Sequence, residues 1–140
     1  MTDDKKARIL IIEDEPGFRL IYRSVLEAHG YGVMEAQNGS QGLEMVKKEK
    51  PDLVLLDLIL PEMNGYKVLQ KIREDKEIKH TPVIVFSVLG SDKDIQKGKE
   101  AGADDYRIKG ENSPETILEK ISTLLENQSS HMADSTPVPD

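Results

Sequence analysis

Five polar residues could do chemistry, because each closely follows an apolar run. Glu13 and Asp14 come after "ILII", Asp57 after "LVLL", Ser87 after "VIVF" and Lys109 after "YRI". Brought together, three carboxylates, a hydroxyl and an ammonium would form a set of oxygen ligands with one cationic side. Mg²⁺ prefers oxygen ligands and commonly combines carboxylates with phosphate oxygens. These residue types therefore predict a site for Mg²⁺, or for Mn²⁺, and a phosphoryl group.

Asp57 is the member of this set that an ordinary structural role explains least. It lies in "LVLLDLILPEMNG", directly between two apolar runs. Burying an unpaired carboxylate costs several kcal/mol or forces the group to take up a proton. A bound divalent cation would offset both that cost and the repulsion between neighbouring carboxylates. The other residues have common alternatives: a helix cap for Glu13 or Asp14, a turn hydroxyl for Ser87 and a solvated ammonium for Lys109.

The elements that must position these residues alternate between strands and helices. Apolar, strand-like runs occur within residues 8–14, 31–36, 51–57, 81–87 and 104–109, and the segments between them have helical periodicity. Strands joined by helices imply right-handed crossovers and a parallel sheet covered on both faces. Functional groups of such sheets lie outside the carboxyl ends of the strands. All five polar residues fall at those ends.

The helices are marked with unequal strength. The first helix is predicted to run from Pro16 to just before Gly30. Asn38 or Ser40 is the predicted cap of the second helix, and Gly65 is the predicted start of the third. The fifth helix is predicted to have Ser113 as its cap and Pro114 as its first residue, and to end near Glu126. The fourth, within 91–103, offers only Ile95 and small residues to a core. We therefore expect it to be short and mobile and to end near Gly102.

The chain length and composition fit one domain. We predict a lead of residues 1–7, a domain of residues 8–126, and a disordered tail of residues 127–140, which could also be a linker remnant or residues added artificially. The net charge of −7 disfavours direct nucleic-acid binding. No apolar run approaches the roughly 20 residues that span a bilayer, and no signal peptide is visible, so we expect a cytoplasmic protein without membrane association.

The motifs closely resemble the receiver domain of two-component response regulators. Two patterns carry the resemblance: "D-x-x-x-P-x-M-N-G", which starts at Asp57, and "A-G-A-D-D-Y-x-x-K", which ends at Lys109. The resemblance covers residues 8 to about 126. It implies an α/β fold with three layers, doubly wound and flavodoxin-like, in which five helices cover a five-stranded parallel sheet of order 2-1-3-4-5.

The resemblance also implies a role for each site residue. Asp57 is implied to be the phosphoacceptor, a nucleophile toward the phosphohistidine of a sensor kinase. The implied metal ligands are Glu13, Asp14, Asp57 and the backbone carbonyl of Ile59, while Lys109 neutralises the phosphoryl oxygens and Ser87 hydrogen-bonds one of them. The protein would catalyse its own phosphotransfer and slow dephosphorylation, and we expect no turnover of an independent substrate.

Tyr106 resembles the switch residue of the family. The resemblance implies that it turns inward when Ser87 is drawn to the phosphate, although a half-buried strand tyrosine is the simpler alternative. The implied readout surface is formed by helix 4, strand 5 and helix 5. Implied partners are a histidine kinase or phosphotransfer protein, and a downstream protein or an output domain outside this chain. A monomer, or a weak dimer through the readout surface, is expected.

The chain departs from the family pattern at several positions. Glu13 replaces the first aspartate of the usual acidic pair, and we expect its longer side chain to reach the metal through water. Gly110 stands where the family usually has a proline with a cis peptide bond, which leaves the loop geometry after Lys109 open. Ile59 and Leu89 stand at positions that, in the family this chain resembles, flank the path of water to the phosphoryl group. Because neither side chain can orient a water molecule, we predict slow self-dephosphorylation.

Three alternative functions compete with this interpretation. A phosphatase that uses an aspartyl-phosphate typically has a second aspartate two residues after the nucleophile, where this chain has Ile59. A flavin or dinucleotide site would need a glycine-rich loop after the first strand, where "EDEPG" stands instead. A receiver-like interaction module that no longer switches by phosphorylation is the main alternative.

Overall fold

The computed structural model describes residues 6–134, and of residues 129–134 only the backbone is described. Strands and helices alternate along the whole described chain, as the sequence predicts. The strands are β1 (Arg8–Ile12), β2 (Gly32–Ala36), β3 (Leu53–Leu56), β4 (Val83–Ser87) and β5 (Asp105–Ile108). The helices are α1 (Pro16–Ala28), α2 (Gly39–Glu49), α3 (Gly65–Glu74), α4 (Asp92–Glu100) and α5 (Pro114–Asp134). None of these helices is long and apolar enough to cross a membrane.

The five strands form one parallel sheet in the order β2-β1-β3-β4-β5. This order confirms the predicted doubly wound, flavodoxin-like arrangement. Strand β1 lies between β2 and β3, and Ile12 is in register with both Ala36 and Leu56. Consecutive strands β2 and β3 are therefore not neighbours, and the strand order reverses beside β1. Ligand sites of such sheets lie at this point of reversal.

Two apolar cores cover the two faces of the sheet. Alternate strand residues face opposite sides, so Leu10 and Ile12 belong to one core and Ile9 and Ile11 to the other. The first core is closed by α2 and α3 with part of α4, and the second by α1 and α5. Burial on both faces explains why the central strands are continuously apolar.

The predicted starts of α1 and α2 are confirmed. Pro16 occupies the first turn of α1, and Asn38, one of the two predicted caps, accepts a hydrogen bond from the backbone N–H of Gln41. The fourth helix has nine residues and is short, as predicted. Its start is nevertheless well defined, because Ser91 and Asp94 form a reciprocal capping box. The mobility of α4 stays a prediction.

The predicted end of the last helix is wrong. We expected α5 to end near Glu126 and residues 127–140 to be disordered, whereas α5 continues to Asp134. The segment has few large apolar residues, but it contains neither glycine nor proline before Pro137, so nothing in it up to that point breaks a helix. Residues 135–140 and residues 1–5 lie outside the described part of the chain.

Candidate functional site

The carboxyl ends of β1 and β3 bring two carboxylates together. Glu13 follows β1 and Asp57 follows β3, and the backbone N–H of Asp57 donates to the carbonyl of Ile12 at 3.1 Å. This bond extends the ladder between the two strands by one residue. Since Glu13 and Asp57 are continuations of paired parallel strands, their side chains emerge at the same edge of the sheet.

Asp14 completes an acidic cluster. One carboxylate oxygen from each of Glu13, Asp14 and Asp57 lies within 4.8 Å of the others. Glu13 and Asp57 are only 3% and 6% exposed, whereas Asp14 is exposed to solvent. A cluster of three carboxylate oxygens, two buried and one open to solvent, matches the hard ligands of Mg²⁺ and leaves a path for its entry. The residues present therefore fit a divalent cation.

Lys109 links the two buried carboxylates. Its Nζ donates to Oε1 of Glu13 at 2.6 Å and to Oδ2 of Asp57 at 3.1 Å. Burial favours the neutral amine, but the hydrogen bond to Glu13 and the charge of Asp57 outweigh it, so the pKa of Lys109 is raised. Lys109 therefore stays an ammonium, and it provides the pairing that a buried Asp57 requires.

Glu13 makes contacts beyond those with the acidic cluster. Burial and the nearby charge of Asp57 raise the pKa of Glu13 despite the opposing bond from Lys109, with burial as the largest cause. Its Oε2 also accepts from the backbone N–H of Glu15 at 3.1 Å, and its carbonyl accepts from Nη1 of Arg19 at 2.8 Å. The alternative role as a helix cap is thus partly present, because Glu13 satisfies an N–H at the start of α1. The capping position itself is Glu15, which makes no side-chain capping bond.

An aromatic residue beneath Lys109 was not predicted from the sequence as part of the site. Nζ of Lys109 lies over the ring of Phe18, 4.2 Å from its centroid. Phe18 belongs to α1 and packs against the core under that helix. The available signal was its place as the first large apolar residue after the acidic pair.

The loop after β3 gives Asp57 a second donor. The backbone N–H of Ile59 donates to Oδ1 of Asp57 at 3.3 Å, so the carboxylate is bonded on one oxygen by an amide and on the other by Lys109. The residue Ile59 is 51% exposed. Ile59 therefore places an apolar side chain in contact with solvent, two residues after Asp57.

Ser87 and Tyr106 meet at Leu89 rather than at the acidic cluster. Oγ of Ser87 accepts from the backbone N–H of Leu89 at 3.3 Å, and the Tyr106 hydroxyl donates to the carbonyl of Leu89 at 2.6 Å. Ser87 is fully buried and Tyr106 is 7% exposed, so the tyrosine occupies an inward position. Burial, with smaller contributions from nearby charges, raises the pKa of Tyr106 to about 12.

The loop after Lys109 has a geometry that the sequence left open. No cis peptide bond occurs in the described chain, so the Lys109–Gly110 bond is trans, and Gly110 adopts a φ of 88°. That region is accessible to glycine at little cost. The backbone N–H of Lys109 donates to the carbonyl of Ser87 at 2.8 Å, which fixes Lys109 at the same sheet edge.

Comparisons with known proteins agree with this fold. A family model described as the response regulator receiver domain matches residues 9–122. PilH of Pseudomonas aeruginosa is 37% identical over 119 residues, which cover 85% of this chain and 98% of PilH. The transcriptional regulatory protein SrrA of Staphylococcus aureus is 36% identical over 92% of this chain but only 52% of its own length.

A solved structure supports the same conclusion. The CheY-like response regulator receiver domain protein of Methanospirillum hungatei superimposes with a TM-score of 0.84 at 30% identity, covering 91% of this chain and 99% of its own. Several curated relatives, SrrA among them, are about twice as long as the region they share with this chain. The matched family, the sheet order and the identities lead to one conclusion: the chain belongs to the receiver domain family of two-component response regulators.

Proposed function

We propose that this receiver domain is a phosphorylation-dependent switch in which Asp57 accepts a phosphoryl group from a phosphohistidine. The observation that carries the proposal is a buried Asp57 carboxylate held between the Lys109 ammonium and two further carboxylates. An oxygen of Asp57 attacks phosphorus, a P–O bond forms as the P–N bond breaks, and the electron pair returns to the imidazole nitrogen. The donor is a histidine kinase or a phosphotransfer protein.

Lys109 and Ser87 are proposed to hold the transferred group. Lys109 already donates to Asp57, so the same ammonium can pair with phosphoryl oxygens attached there. Ser87 ends the neighbouring strand β4, and its hydroxyl proton can be donated to a phosphoryl oxygen. Phosphoryl transfer asks for positioning and charge compensation, which these two side chains supply.

Glu13, Asp14 and Asp57 would hold Mg²⁺, with the backbone carbonyl of Ile59 as a further oxygen ligand. When bound, the ion compensates the charge of the carboxylates and of the phosphoryl oxygens. The support is the donor set itself, three carboxylate oxygens within 4.8 Å, which Mn²⁺ also accepts. Because Glu13 is already bonded to Lys109, we propose that it reaches the ion through water.

Tyr106 is proposed to couple the site to a readout surface formed by α4, β5 and α5. Its ring is buried, and its hydroxyl donates to Leu89 in the loop that follows Ser87. Movement of that loop would therefore change the position of the ring. A phosphoryl group that contacts one arrangement better than the other would shift the population between them. The surface would then present a different face to a downstream protein partner or to a further domain.

Ile59 and Leu89 are proposed to give the phosphorylated state a long lifetime. Ile59 is apolar and exposed beside Asp57, and Leu89 is packed against the core. Neither side chain can hydrogen-bond an attacking water molecule. We expect the phosphoryl group to be lost slowly without a phosphatase. A rapid loss in the purified protein would contradict this expectation.

Intact mass spectrometry tests the proposed function directly. The protein is incubated with acetyl phosphate and Mg²⁺, and a single phosphoryl adduct is expected that disappears when Mg²⁺ is chelated. Asp57→Asn should abolish the adduct. Asp92→Asn, which changes an exposed carboxylate on α4 outside the cluster, should leave it unchanged. An unlabelled native protein, under conditions that label a control receiver domain, would refute the proposal.

A further inference from the structure

Phe18 contributes a cation–π contact to the ammonium that faces Asp57. Nζ of Lys109 lies 4.2 Å from the ring centroid, and the Lys109 side chain is only 13% exposed. Attraction between an ammonium and an aromatic face strengthens when water is excluded from the cation. The contact therefore belongs to the stronger, desolvated class.

Two other aromatic residues fix the orientation of the Phe18 ring. Tyr22, one turn further along α1, stacks on it at a centroid distance of 4.8 Å and an interplanar angle of 27°. Phe86 of β4 meets it edge-on at 5.2 Å, and Phe86 also meets Tyr22 edge-on at 5.2 Å. Because all three rings contact one another, the face of Phe18 is held toward Lys109 by the core beneath it.

The ring constrains Lys109 in a different way from the carboxylates. Glu13 and Asp57 each bind one N–H of the ammonium in a defined direction, at 2.6 Å and 3.1 Å. An aromatic face attracts the charge without fixing the direction of any N–H. The ammonium can therefore exchange a bond to Asp57 for one to a phosphoryl oxygen while it keeps its contact with the ring.

We propose that Phe18 is a positioning residue for phosphoryl acceptance, whose aromatic face keeps the Lys109 ammonium aimed at Asp57. This inference rests on the function proposed above and deepens it. Removing the attraction would let the flexible lysine side chain sample positions away from Asp57. The rate of phosphorylation should then fall, even where the fold and the acidic cluster are intact.

Ring fluorination separates this role from simple packing. Phenylalanine at position 18 is replaced by its mono-, di- and trifluorinated forms, which keep the shape of the ring while they weaken the negative potential of its face. The rate of adduct formation with acetyl phosphate and Mg²⁺ is measured by intact mass. We expect a stepwise decrease that reaches about two- to thirtyfold, the range that corresponds to the strength of such contacts.

Phe86 is the matched control. It belongs to the same aromatic cluster but has no contact with Lys109 among the cation–π pairs of the described residues. The same fluorinated series at position 86 keeps the ring shape that orients Phe18 and does not alter the ring face beneath Lys109, so it should leave the rate unchanged. If fluorination at position 18 did not change the phosphorylation rate, or if fluorination at position 86 lowered it equally, the role of Phe18 would be overturned. The proposed function would be left intact. Failure of the native protein to be labelled at all would overturn both.

Discussion

Replacing Gly98 by alanine tests what holds Tyr106 in its inward position. Gly98 lies inside α4, where alanine is ordinarily more stable than glycine by about 1 kcal/mol. Here, however, a Cβ on Gly98 would lie 2.8 Å from both Cδ2 and Cε2 of the Tyr106 ring. Real Cβ atoms essentially never approach other atoms so closely. Either the ring or the helix must move.

The stability lost by displacing the Tyr106 ring should exceed the stability gained from the higher helix propensity of alanine. Exposing the Tyr106 ring loses about 1.5 to 3 kcal/mol of burial, and its bond to the carbonyl of Leu89 contributes about 1 kcal/mol more. After subtraction of the alanine gain, we expect Gly98→Ala to lower the free energy of unfolding by about 1.5 to 3 kcal/mol. Urea denaturation measures this change.

Titration of tyrosinate absorbance shows whether the Tyr106 ring is still buried in the variant. The pKa of Tyr106, about 12 in the native protein, should fall toward the ordinary 10.0 in Gly98→Ala, with Tyr106→Phe as the reference that isolates its signal. The raised pKa means that the folded state keeps a proton that the unfolded state releases. The free energy of unfolding therefore decreases as the pH rises from about 10 to about 12, and this decrease should be smaller in the variant.

Gly17→Ala is the control for the same substitution in a helix. A Cβ on Gly17 of α1 would meet no atom within 4 Å, so this variant should be neutral or slightly stabilised. If Gly98→Ala were stabilised to the same extent, with the pKa of Tyr106 unchanged, the ring would not depend on Gly98 and the reasoning would be refuted.

Three further predictions follow from other contacts. Arg73→Met should lower the free energy of unfolding by about 2 to 4 kcal/mol in urea denaturation, because Arg73 donates to three backbone carbonyls and pairs with Asp104. The three carbonyls belong to Gly102, Lys79 and Thr81. A decrease below about 1 kcal/mol would contradict this prediction. Asn38→Ala should cost about 1 kcal/mol by removing the cap of α2, while Asn38→Asp should restore most of it. Mg²⁺ should raise the melting temperature of the native protein but not that of Asp14→Asn, and an equal rise in both would argue against the acidic cluster as the metal site.

The sequence predicted those features that depend on local pattern. Continuous apolar runs located the central strands, and the residues after them, Glu13, Asp57 and Lys109, lie at one sheet edge as expected. Capping residues such as Asn38 located helix starts. These signals work because periodicity and capping are properties of a few neighbouring residues.

Features that depend on side-chain placement were not predictable in this way. The local pattern does not indicate that the Phe18 ring would face Lys109 or that Gly98 would make room for Tyr106, because both contacts depend on how a helix packs against the sheet. The length of α5 was missed for a different reason. Polar composition suggested disorder after Glu126, but the absence of a helix breaker allowed the helix to continue.

The hydrogen bonds of Lys109 also require that the protein has completed its fold. Its partners Glu13 and Asp57 lie 96 and 52 residues away in the chain, so the ammonium reaches them only after the first and last strands have joined one sheet. Contacts of such long range form late because closing large loops is entropically unfavourable. In a nascent or damaged copy, Asp57 is an ordinary aspartate without a charge partner. If Asp57 is the phosphoacceptor proposed above, only molecules that have completed folding would accept a phosphoryl group.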